Sequence, residues 1–115
     1  METILQRLTD LDEVTGVIVV GKDGLIVSGT LQSEDEEMLG AISAAIFGSI
    51  GNYTTQTNNG ETRHVMIETH SGSIQLAEVG DLILVVTTQT SSNFGRLRIE
   101  MKKACRQLSQ LVTAY

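Results

Sequence analysis

The chain has 115 residues, enough for one hydrophobic core and one domain spanning 1–115. Its 41% apolar and 19% charged residues are the proportions of a folded protein, while a net charge of −6, two Tyr, two Phe and no Trp oppose a nucleic-acid partner, which needs clustered cations and aromatic stacking platforms. No apolar run reaches the roughly 18 to 20 residues that cross a bilayer, Met1-Glu2-Thr3 lacks the basic region of a signal peptide and the single Cys105 closes no internal disulfide, so a cytoplasmic protein without membrane insertion is expected.

Ile4, Leu5, Leu8 and Leu11 recur at helical spacing and predict a short amphipathic helix from about Thr3, its cap, to Val14. Strands are expected at Val17–Val20 and Leu25–Val27, joined by Gly21-Lys22-Asp23-Gly24, whose glycines permit the positive φ of a hairpin turn. Ser33 and Glu36 have the spacing of a capping box, and Glu34, Asp35 and Glu37 favour the positive end of the long helix that follows, to about Tyr53. Beyond the turn-prone Thr54 to Gly60 come three strand-like runs, Arg63–Thr69, Ser73–Val79 and Leu82–Thr88, connected through His70-Ser71-Gly72 and Gly80-Asp81. Asn93 is a suitable N-cap for a closing helix, Phe94 to Thr113.

The order α-β-β-α-β-β-β-α is that of an α+β fold with a five-stranded, mainly antiparallel sheet. Val17–Val20 and Leu82–Val86 are apolar without interruption, which suits strands covered on both sides. The first and fifth strands are therefore expected near the centre, with helices on both faces.

The long helix carries two apolar arcs. Leu39, Ile42, Ile46, Ile50 and Tyr53 form a large-residue stripe expected to pack on the sheet. Gly40, Ala41, Ala44, Gly48 and Gly51, with Phe47 at the margin, lie nearly opposite. Glycine inside a helix costs about 1 kcal/mol relative to alanine, so this arc calls for a close backbone approach. A second copy of the helix crossing about a twofold axis would supply it, and these six residues are the expected dimer interface. The alternative is that the small residues make room for another element of the same chain.

The residues offer no catalytic, cofactor-binding or metal site. The Gly21–Gly24 segment joins two strands, so no helix N-terminus faces a phosphate there. His64 and His70 stand about 20 Å apart at strand rise, too far to share an ion, and are expected at the surface. Ser71 and Ser73 beside His70 lack an orienting carboxylate and read as turn residues. Five cations, Arg96, Arg98, Lys102, Lys103 and Arg106, gather on the last helix, while acids cluster at Asp10–Glu13 and Glu34–Glu37. Solvated helix faces account for both clusters; a partner of opposite charge is the functional alternative.

Three stretches carry a resemblance to a known family: Gly16 to Val20 with Lys22 to Val27, Gly80 to Val86, and Asn93-Phe94-Gly95-Arg96-Leu97-Arg98-Ile99-Glu100-Met101. Over nearly its whole length the chain resembles the roadblock/dynein light chain family, whose members include bacterial regulators of Ras-like GTPases. The resemblance implies a homodimer in which the long helices pack antiparallel and the third strands pair into one continuous sheet. It also implies a non-catalytic regulator that binds a small Ras-like GTPase, without supplying a catalytic residue. A passive dimeric scaffold and a small-ligand sensor are the alternative functions. Glu34 and Glu37, at the acidic start of the long helix, are the candidate contacts for a partner.

Overall fold

The computed structural model describes residues 1–29, 36–89 and 93–113. Its elements are α1 (Glu2–Thr9), β1 (Val14–Gly21), β2 (Ile26–Gly29), α2 (Glu36–Gln56), β3 (His64–Thr69), β4 (Gly72–Val79), β5 (Leu82–Gln89) and α3 (Phe94–Thr113). This is the α+β order expected from the sequence.

Helix α1 buries Leu5 and Leu8 but stops short of the expected Val14. Val14 already pairs with Thr88 as strand, and Leu11 N–H and Val14 N–H turn the chain by donating to the carbonyls of Leu8 and Leu11. Thr3 does not cap it: Met1 occupies that position, with no side-chain cap hydrogen bond. The β1–β2 turn closes as expected, with Gly24 at φ 93°. β2 begins at Ile26 rather than at Leu25, whose carbonyl closes the turn by accepting from Gly21 N–H at 2.8 Å.

The sheet order is β2-β1-β5-β4-β3, and every pairing is antiparallel. β5 is the middle strand and β1 lies beside it, in agreement with their unbroken apolar runs. Alternation splits the core into two layers. Val17, Val19, Ala77, Val79, Leu84 and Val86 meet Leu5 and Leu8 of α1 and Leu97, Met101, Ala104 and Leu108 of α3. On the other face Ile18, Val20, Leu76, Ile83 and Val85 meet Phe47 of α2.

Polar residues do not end α2 where turn chemistry suggested. The Thr54 and Thr55 hydroxyls donate to the Gly51 carbonyl at 3.1 and 2.9 Å, and that of Thr57 donates to Tyr53 O at 2.9 Å, so the chain stays helical to Gln56. Asn58, at φ 63°, then leaves the helix. At α3, Asn93 caps as expected, its Oδ1 accepting from Arg96 N–H at 3.1 Å. The expected capping residue Ser33 lies outside the described residues.

Candidate interaction surface

Helix α2 rests on the sheet through its small residues. Gly40, Ser43 and Phe47 are its buried positions. A Cβ on Gly40 would stand 2.6 Å from Ile26 Cδ1 and 3.4 Å from Val20 Cγ2, so the absent side chain is what lets helix and strands approach. Ala44 packs beside Phe47 against the same core layer.

This reverses the expectation for the two arcs. Leu39, Ile42 and Tyr53, expected on the sheet, are 41%, 48% and 69% exposed, and Ile46 and Ile50 are only half-buried. Of the six residues expected at a dimer interface, Gly40, Ala44 and Phe47 serve the chain's own core, and Gly51 is half-buried near Thr62. Ala41 and Gly48 are exposed, with open space around Gly48. The physical reason is that α2 is apolar around most of its circumference. Periodicity then locates two arcs without saying which one meets the sheet, and the sheet takes the arc that permits the shorter separation.

Helix α2 lies over β1 and β2. Towards β3 and β4 the same sheet face is less covered: Ile74 is 36% exposed, and Val65 and Ile67 are half-buried. Leu39 and Ile74 line one pit of about 40 Å³, so the outward side of the helix and the open part of the sheet form a continuous apolar surface. Met38, 56% exposed, extends it. β3 borders this surface, and its outer edge has no strand partner among the described residues. Its six residues pair with β4 in unbroken register, from His64↔Ala77 to Thr69↔Gly72, with no proline or bulge to blunt the free edge.

The opposite face carries a polar site. Between β3, β4 and α3 lies a cleft of about 650 Å³ whose lining includes Arg63, His64, Arg98, Lys102 and Arg106. His64 Nε2–H donates to Gln75 Oε1 at 2.8 Å, so His64 is half-buried and not the surface residue expected. Burial pushes its pKa down, and the charges of Arg98 and Lys102 act in the same direction against the hydrogen bond to Gln75. Gln75 is 1% exposed, and its amide nitrogen has no partner among the described residues. Cys105, half-buried in the same cleft, has its thiol pushed up to about 11 by burial and stays protonated at neutral pH.

The remaining candidates are dispersed. His70 and Ser71 are exposed at the β3–β4 turn, while Ser73 is buried and its Oγ lies 2.6 Å from Thr88 Oγ1. Glu37 is exposed in the first turn of α2, and Glu34 lies outside the described residues. Among the described residues no three His, Cys, Asp or Glu side chains gather as a metal site, and no helix is long and apolar enough to cross a membrane.

Residues 1–88 match the sequence profile of the Roadblock/LC7 domain. Protein MJ1340 of Methanocaldococcus jannaschii is 33% identical over 112 residues, covering 96% of this chain and 98% of its own length. Among solved structures, MglB of Myxococcus xanthus superposes with a TM-score of 0.92 at 23% identity, covering 98% of this chain and 94% of that one. A Roadblock/LC7 domain from Streptomyces avermitilis gives 0.91 at 16% identity, with 98% of both chains covered. At these identities the two structures establish the fold.

Proposed function

The chain belongs to the Roadblock/LC7 family, and we propose that it works as a homodimer that binds a small Ras-like GTPase and modulates its nucleotide cycle without catalytic groups of its own. One observation carries the dimer: the exposed apolar surface formed by Met38, Leu39 and Ile42 with Ile74 of the sheet, bordered by the unpaired edge of β3. A twofold axis beside β3 lets two such edges pair antiparallel while each α2 covers apolar surface left open by the other. Outward Leu39, Ile42 and Tyr53 replace the small-residue arc as the contacts between copies, with Ala41 and Gly48 at their margin.

The GTPase reading is supported by the family resemblance, since bacterial members regulate such partners. A regulator of this kind shifts its partner only as far as it binds one nucleotide state more tightly than the other. The acidic first turn of α2, where Glu37 is exposed, is the proposed contact, together with Glu34.

The test is a pull-down with the tagged chain from a lysate of the source cells, run in parallel with a non-hydrolysable GTP analogue and with GDP. Recovery of a Ras-like GTPase in one nucleotide state is the expected result. Equal recovery in both makes the protein a scaffold, and recovery of none removes the GTPase from the proposal. Glu37→Lys is expected to weaken capture of that GTPase several-fold by reversing the local charge; unchanged capture would move the contact elsewhere.

A further inference from the structure

Of the chain's eight lysines and arginines, four, Arg63, Arg98, Lys102 and Arg106, line the cleft between β3 and α3, although the net charge is −6. None of the four has an ion-pair partner among the described residues. Glu78 also lines the cleft, but its carboxylate holds Lys22 at 2.9 Å, and Glu100, outside the cleft, lies 3.6 Å from Lys103. Arg98, Lys102 and Arg106 repeat every four residues, where like charges repel along a helix face. Concentrating unneutralised cations in one recess is unfavourable for the isolated chain and favourable for an anionic partner.

The arrangement discriminates among anions. Four-residue steps advance about 6 Å each, so the three α3 cations form a row of about 12 Å instead of converging on one point. A single phosphate would engage one end of that row. A membrane would need the cations on a projecting surface, whereas these line a recess between a strand and a helix. Carboxylates on alternate residues of an extended peptide stand about 6.6 Å apart and match the row. Ala77 and Met101 add apolar lining, and His64 holds Gln75, whose amide nitrogen is still without a partner.

We propose that this cleft docks an acidic peptide segment of a partner protein, its carboxylates paired in sequence with Arg98, Lys102 and Arg106 and its other flank held by Arg63. The cleft is complete within one chain and lies on the sheet face opposite α2, so it does not depend on the dimer or on the GTPase contact.

The probe is a fluorescein-labelled deca-glutamate peptide, titrated with the intact protein and followed by fluorescence anisotropy at low and moderate salt. Wild type is expected to bind, more weakly as salt rises. Arg98→Glu with Lys102→Glu should lose at least about tenfold in affinity, and Arg63→Glu, just before β3, should lose severalfold. The control is Arg96→Glu with Lys103→Glu, which changes net charge equally on the same helix outside the cleft, and it should stay within about threefold of wild type. Equal losses in the cleft and control pairs would mean diffuse attraction and overturn the site. So would absence of peptide binding by wild type, or binding of pyrophosphate or phosphatidylserine vesicles in its place. Arg63→Glu decides the matter if the double variant does not fold: affinity equal to wild type would also overturn the site.

Discussion

Gly40 and Gly48 occupy the same helix with different neighbours, and substitution separates their roles. A leucine at Gly40 must displace Ile26 and Val20, so Gly40→Leu is expected to destabilise by about 1–3 kcal/mol. Gly48 faces open space, so Gly48→Ala should stabilise the monomer by up to about 1 kcal/mol through helix propensity. Urea denaturation midpoints measure both changes, and a loss of stability at Gly48→Ala would place a neighbour against it. His64 makes a pH-dependent contribution. Its folded pKa lies below 6.5, so the unfolded chain takes up the proton first as pH falls. The stability tied to neutral His64 is complete above 6.5 and declines as pH drops towards the folded value. Imidazole NMR should show a midpoint below 6.5, and His64→Gln should flatten the stability profile in that window. Asn93 could be recognised as a cap because capping is local chemistry. The burial of His64 could not, because it depends on Gln75, a diagonal neighbour on the adjacent strand.

At the level of elements, order and type were legible because strands with unbroken apolar runs and helices with apolar spacing leave different periods in the sequence. The facing of α2 was not, because both of its arcs could pack. A single glutamate tests the corrected facing. Ile42 is 48% exposed in the isolated chain, so Ile42→Glu should leave the fold intact while placing a charge in the proposed interface between two copies. The expected result is a monomer by light scattering, with dimer affinity weakened at least about a hundredfold. A dimer of unchanged mass would place the interface away from α2. Helix α1 shows a second limit of local patterns: Leu11 continues its apolar spacing, but the pairing of Val14 with Thr88 draws the chain into the sheet first.

At the scale of the whole molecule, the five-stranded sheet is unevenly covered. The α1 and α3 layer buries Leu5, Leu84, Leu97 and Met101 almost completely, whereas the α2 layer leaves Ile74, Leu39 and Ile42 open to water. In the proposed homodimer such asymmetry would tie stability to association, since a second copy would bind the folded chain and not the unfolded one. The melting temperature of the wild type should therefore rise with protein concentration, while that of Ile42→Glu should not. A concentration-independent midpoint in both would remove the dimer. The acidic net charge and the basic cleft also coexist at this scale: total charge is a property of the sequence, whereas the grouping of Arg63 with three residues of α3 arises from packing.

The order β2-β1-β5-β4-β3 also divides the chain's route to its native state into two local tasks and one distant one. β1 with β2, and β3 with β4 and β5, are joined by short turns and can form among near neighbours in sequence. Only the seam between β1 and β5, where Val17 faces Val86, requires the two halves to meet across the length of α2 and the meander. Closing that loop costs chain entropy before its contacts can compensate, so the seam is expected to set the folding rate. Val17→Ala should slow refolding in stopped-flow experiments by a larger share of its stability loss than Val65→Ala on the outer strand, and the reverse ranking would place nucleation in the meander.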